Sequence, residues 1–295
     1  MTILLLLLII LLVFTTTLLI VEKLIFQPFK GTATKWLHHS DLNGRKVLFK
    51  SGRNALSGWF YGEDNDNAKG LIIISHAMGV TSEYYLPEIM YFADRGYKVF
   101  AFDNTGYGYN KGLFWGFPQA VKDLKSAIIF ADDHTLPIIL FGHSMGGYAV
   151  STVLADPEVK SHNISGVIEY SGFNDIKGVV RDFLGADNSL LKKFMAELIC
   201  LGQFLIFGRM IYNKASDVVN AKSDVNFIMV HGTKDEEVRI DSTALISRDF
   251  ANTNVRKIIA YNEGVNTHMG VIRNDKGSNP DVNQKILDEI ISALG

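Results

Sequence analysis

The sequence predicts an α/β domain with a mostly parallel central sheet, helices on both faces and a helical cap inserted late in the chain. Three observations carry that expectation. Short apolar runs rich in Ile, Val and Phe alternate with longer segments of helical period, the pattern of a sheet covered on both sides. The rhythm breaks once, over residues 172–222, where the pattern is mainly helical. A Gly-x-Ser-x-Gly pentapeptide directly follows one of the apolar runs.

In chain order, Met1 to Val21 carries no charge before Glu22 and Lys23 interrupt it. A helix of that length spans about 30 Å, the thickness of a bilayer core, so residues 1–22 are expected to form a transmembrane anchor. A cleaved signal peptide would call for a basic start, a shorter apolar stretch and a small-residue cleavage site. Lys23, Lys30 and Lys35 follow the span, which by the positive-inside rule puts the catalytic domain on the cytoplasmic side. Residues 23–45 read as a connector and 46–295 as the catalytic domain.

Within that domain, Lys46 to Lys50 and Leu56 to Tyr61 read as a meander. The parallel strands are expected at Leu71 to Ser75, Tyr97 to Phe102, Leu136 to Gly142, Ile164 to Ser171, Val225 to His231 and Val255 to Tyr261. Helices are expected at Glu83 to Arg95, Phe117 to Asp133, Ser144 to Ala155, Ser242 to Phe250 and Pro280 to Leu294.

Composition excludes several functions. Twenty-nine Lys and Arg stand against 31 Asp and Glu, so there is no basic excess to neutralise nucleic-acid phosphates. Cys200 is the single cysteine, which rules out an intrachain disulfide and a cysteine zinc cluster. No metal or organic cofactor is expected.

The chemistry centres on Gly142-His143-Ser144-Met145-Gly146, placed between an apolar strand and a helix. This is the pattern of a nucleophile elbow, a turn so tight that the serine is strained and its neighbours two positions away must be small. A serine hydroxyl needs a base to take its proton and an acid to orient that base. In sheets of this kind the partners follow in the order serine, acid, histidine. Asp235 lies just after the strand ending at His231, with Glu236 and Glu237 as adjacent competitors. His268 is the histidine that follows; His231 precedes the acid and suits a structural, hydrogen-bonded role. The N–H of Met145, at a helix N-terminus, and that of Met78, in His76-Ala77-Met78-Gly79, are the candidate oxyanion donors.

On these residues the chain resembles the α/β-hydrolase superfamily, in the branch of monoacylglycerol lipases, lysophospholipases and serine aminopeptidase-like proteins. The resemblance covers roughly residues 45 to 294 and also includes Asp103-Asn104-Thr105-Gly106-Tyr107-Gly108. It departs from the family pattern at Ala77, where Gly is usual, and at Thr105, where Arg is usual. It implies a serine hydrolase working through an acyl-enzyme.

Specificity is expected from the oily cap and from Lys111 to Pro118, with Phe114, Trp115 and His143 as candidate substrate contacts. A tether beside a bilayer favours lipid-like acyl esters. An aminopeptidase-like enzyme would need an acidic group in the cap, for which Asp182, Asp187 and Glu197 are available. The same fold also accommodates an acyl-protein thioesterase or a non-catalytic binding protein.

Overall fold

The computed structural model describes residues 2–31, 37–260, 267–273 and 281–294. Lys35, Tyr261, the start of the histidine loop and Pro280, each part of an expected element, lie outside the described residues.

Eight strands form one sheet among the described residues: β1 (Arg45–Ser51), β2 (Asn54–Tyr61), β3 (Leu71–Ser75), β4 (Lys98–Phe102), β5 (Ile138–His143), β6 (Ile164–Tyr170), β7 (Asn226–Gly232) and β8 (Val255–Ala260). Their order is β1-β2-β4-β3-β5-β6-β7-β8. The first two strands pair antiparallel with their neighbours; β3 through β8 run parallel. Every residue of β3 and β5 is buried, which is why these strands read as unbroken apolar runs instead of alternating ones.

The helices are α1 (Thr2–Ile25), α2 (Leu86–Asp94), α3 (Phe117–Ala131), α4 (Met145–Thr152), α5 (Ile176–Leu184), α6 (Leu190–Phe207), α7 (Ala215–Ala221) and α8 (Gln284–Leu294). Strand side chains point alternately to opposite faces, and the core divides accordingly. Ile73, Leu140 and Val167 pack with residues of α3, α4 and the cap. Ile72, Ile74, Phe141 and Ile168 pack with residues of α2 and α8. Helices α5, α6 and α7, called the cap below, lie between β6 and β7.

The expected helix over Ser242 to Phe250 is not formed; only a short 3-10 turn, Leu245–Ser247, appears there. The backbone of this stretch is committed elsewhere. The Asn174 N–H donates to the Thr243 carbonyl (2.9 Å) and the Leu245 N–H to that of Gly172 (3.1 Å), and Phe173 pairs with Ala244 as an isolated bridge. Bonds across to the segment after β6 have replaced bonds along a helix.

The start of the connector also differs from a plain link, because it is stitched to the body. Gly108 N–H donates to Phe29 O (2.9 Å) and Gly31 N–H to Gly108 O (3.2 Å). The Lys30 ammonium donates to the Asn110 carbonyl (3.3 Å) and to that of Gly106.

A buried ion pair fastens the segment that follows β8. Arg273 Nε and Nη2 each donate to the Glu88 carboxylate on α2 at 2.7 Å, with both side chains essentially fully buried. Removing one partner of such a pair leaves the other charge stranded away from water. Glu88→Ala should therefore cost about 3–5 kcal/mol of stability, read as a lower midpoint in urea unfolding followed by circular dichroism.

Candidate active site

Because β3 to β8 run the same way, the loops after them emerge along one edge of the sheet. That edge holds His76 to Gly79 after β3, Asp103 to Gly108 after β4, Ser144 after β5, Asp235 after β7 and His268 after β8.

Ser144 sits between β5 and α4 with φ 54° and ψ −112°, a strained conformation for a residue with a side chain. The strain persists because the chain passes so close to itself on either side. A Cβ at Gly142 would lie 2.2 Å from Gly146 O, and one at Gly146 would lie 2.0 Å from Ser75 O. The Ser144 N–H donates to Tyr170 O (2.8 Å) and the Ser144 carbonyl accepts from Tyr148 N–H (3.0 Å), so strand β6 and helix α4 hold the turn from both ends.

His268 Nδ1 lies 2.8 Å from Asp235 Oδ2, and both residues are buried. The other carboxylate oxygen, Oδ1, accepts the N–H groups of Glu237 (3.0 Å) and Val238 (2.8 Å). The acid is thus oriented by backbone donors before it meets the imidazole. Of its competitors, Glu236 is exposed and Glu237 comes to 3.8 Å from His268 Nε2 with its side chain largely in solvent. His231 is fully buried and bonds through Nε2 to Val238 O (2.8 Å). Burial holds its pKa below the usual histidine value, so it braces the Asp235 turn as a neutral ring.

His143 is corrected from a substrate contact to a buried brace. It is fully buried, and both ring nitrogens are engaged within the protein. Nε2 bonds to the His268 carbonyl (3.0 Å) and Nδ1 to the Tyr85 hydroxyl (2.7 Å). Burial, reinforced by the nearby His268, pushes its pKa far down. As a neutral ring it donates from Nε2 and accepts at Nδ1. The Tyr85 hydroxyl also accepts the Ala77 N–H (3.1 Å), so one chain of hydrogen bonds links the loop after β3, the elbow and the histidine loop. With the Ala77 N–H taken, that of Met78 is the next along the loop. The Met145 N–H lies in the first turn of α4, where no intrahelical acceptor exists.

Phe114 is likewise corrected: it is buried and packs edge-on against Tyr107 at 5.1 Å, inside the loop after β4. Trp115 stays half-buried, with its carbonyl accepting from Gln203 Nε2 (2.6 Å). Thr105, at the position where arginine is usual, donates to the buried Asp123 carboxylate from its N–H (2.8 Å) and hydroxyl (3.0 Å). Ser51 and Gln119 complete that shell, so neutral donors here satisfy a buried acid.

Sequence reasoning missed Tyr85, Tyr170 and Glu169. The Tyr170 ring stacks on His143 at 4.2 Å and its hydroxyl accepts the Val271 N–H (3.0 Å). Glu169, on the fully buried part of β6, accepts the Gly172 N–H beneath the elbow. A glutamate inside an apolar run was the available signal for it. The tyrosines carry no local signal, since their partners are remote in sequence.

The family model described as serine aminopeptidase, S33, matches residues 66–204. A monoacylglycerol lipase of Mycolicibacterium smegmatis is 30% identical over 112 residues, covering 32% of this chain and 40% of that protein. A putative monoglyceride lipase of Schizosaccharomyces pombe is 28% identical over 115 residues, 35% of this chain and 29% of its own length. The match therefore spans less than half the length of either relative. Among solved structures, an esterase of Pyrococcus furiosus superposes with a TM-score of 0.62 at 17% identity, over 90% of this chain and 95% of that one. The chain has the α/β-hydrolase fold, and over residues 66–204 its sequence is similar to the serine aminopeptidase, S33, family.

Burial raises the Glu169 pKa from 4.5 to about 8, against the opposing pull of the Gly172 N–H. The folded protein thus favours the neutral acid. Its contribution to stability is complete below pH 4.5 and is lost as pH rises toward 8. Glu169→Gln should remove that slope, on the order of 5 kcal/mol across the window, as measured by urea unfolding at a series of pH values.

Proposed function

We propose that the protein is a membrane-anchored serine hydrolase that cleaves carboxylic esters with lipid-like acyl groups. The observation that carries this reading is the buried 2.8 Å contact between His268 Nδ1 and Asp235, on the same edge of the sheet as a strained elbow serine.

The chemistry follows from the roles these groups can take. Ser144 Oγ attacks the ester carbonyl while His268 Nε2 takes its proton, and Asp235 holds the imidazole and steadies the charge that forms. The oxyanion is met by the N–H groups of Met145 and Met78, each worth about 3 kcal/mol in the transition state. The proton passes from His268 to the leaving alcohol, and water repeats the sequence to free the acid. No step needs a cofactor.

Anchoring is supported by α1, which holds an 18-residue window of mean hydropathy 3.2 within Ile3–Ile25 and whose side chains from Ile3 to Phe14 are exposed. A single span would be residues 1–22, followed by a connector over 23–45 and one catalytic domain over 46–295 with its cap at about 172–222. The relatives named monoacylglycerol and monoglyceride lipases favour small lipid esters. The aminopeptidase reading has less support. Glu197 is paired with Lys177 and Arg181 (2.8 Å each), Asp187 faces Arg239 at 3.6 Å, and Asp182 accepts the Ser242 hydroxyl (2.7 Å). Two of these acids face cations, and the third is bonded through one carboxylate oxygen.

The test is hydrolysis of p-nitrophenyl esters from acetate to palmitate by the detergent-solubilised full chain. Ser144→Ala should abolish turnover, and Asp235→Asn should lower kcat by about 10³–10⁴-fold. A folded protein with no Ser144-dependent activity on any ester would remove this reading, and peptide and thioester substrates would then be assayed.

A further inference from the structure

We infer that the end of α1 forms a wall of the acyl-binding cavity, so that the anchor helix also selects the acyl chain and receives it at the membrane surface. This deepens the ester-hydrolase reading and rests on it.

A cavity of about 100 Å³ lies beside the loop after β3, and every residue lining it is apolar. Met78 brings the oxyanion loop to it, Phe117 the start of α3, and Val180 and Ile199 the cap. Phe183 and Leu184 of α5 line it as well, and Ile25 and Phe26 complete the wall. An acyl chain attached to Ser144 needs an oily space next to the oxyanion donors, and this is the apolar cavity that Met78 borders. Phe26 is buried, with its ring edge-on to Phe117 at 5.2 Å. Ile25 and Phe183 are 44% and 45% exposed, and stand at the mouth.

The helix end is locked in this position. Glu22 is fully buried; Gln203 of α6 donates through Nε2 both to its carboxylate and to Trp115 O. A Cβ at Gly202 would fall 2.3 Å from Glu22 Oε1, so α1 and α6 touch backbone to side chain. Beyond the cavity, Phe29 to Gly31 bond to the loop after β4. A simple tether has no reason to bury a carboxyl group, which is costly without partners. Placing a wall does supply one.

A 24-residue helix is about 36 Å long, enough to cross the bilayer core and leave Glu22 to Phe26 at its surface. The mouth formed by Ile25 and Phe183 then opens where lipid acyl chains are available.

The experiment uses the full chain in phospholipid nanodiscs and compares Ile25→Trp with Leu8→Trp, a change on the exposed part of α1. Two readouts are taken: kcat/KM over p-nitrophenyl acetate to palmitate, and binding of a fluorescent dodecanoic acid to the same chains carrying Ser144→Ala. Ile25→Trp should narrow the mouth and weaken both long-chain turnover and fatty-acid binding about tenfold, the effect of about two methylenes left unburied. The Leu8→Trp protein should match the wild type, and the chain-length profile of Ile25→Trp should shift toward the short esters. Equal chain-length profiles and equal fatty-acid affinities in the two variants would overturn the inference, as would a wild-type chain that binds no fatty acid. Fatty-acid binding that Ile25→Trp weakens, without Ser144-dependent turnover of any ester, would instead overturn the hydrolase reading and leave the cavity assignment standing.

Discussion

The structure depends on a close approach of backbone to backbone at the elbow. Gly146 lets α4 start against the end of β3, where any side chain would collide with Ser75 O. Gly142 lets β5 turn back under the same helix. The strain at Ser144 is the consequence, and it is tolerated because β5 is flanked by parallel strands on both sides and buried throughout. A turn this tight could not be held at a sheet edge or in a loose loop.

Around the elbow, buried polar side chains serve as struts and not as reagents. His143 and Tyr85 connect three loops whose positions must agree to within hydrogen-bonding distance. Tyr170 and the Glu88–Arg273 pair hold the segment after His268 from below. Each strut is a neutral or ion-paired group in an apolar setting, where an unmet bond would cost more than in water. The same logic explains why His231 and His143 are held neutral, a state that lets each ring donate at one nitrogen.

The cap and helix α1 lie beside the loop after β3. Helix α6 meets α1 at Gly202 and Gln203 and contributes Ile199 to the cavity. Exposed Leu190, Leu191 and Phe194 continue along it, so the oily character noted in the sequence is divided between a cavity wall and an outer surface. Helix α1, the cap and the loop after β3 thereby border one apolar space.

The parallel sheet, the order of the chemistry-bearing loops and the elbow were all legible in the sequence, because each is written in contiguous residues: an apolar run, a turn, a helical period. Chain order alone also singled out His268 and the acidic stretch Asp235 to Glu237. Which of three neighbouring acids meets the imidazole was not legible. That choice depends on the Glu237 and Val238 N–H groups folding back onto one carboxylate. The packing of Phe114 inward, the burial of His143, the loss of a helix at Ser242 to Phe250 and the docking of Glu22 against Gln203 were likewise decided by tertiary structure. Each depends on a partner far away in the chain, and a long-range hydrogen bond or a packed ring leaves no period in the sequence from which to read it.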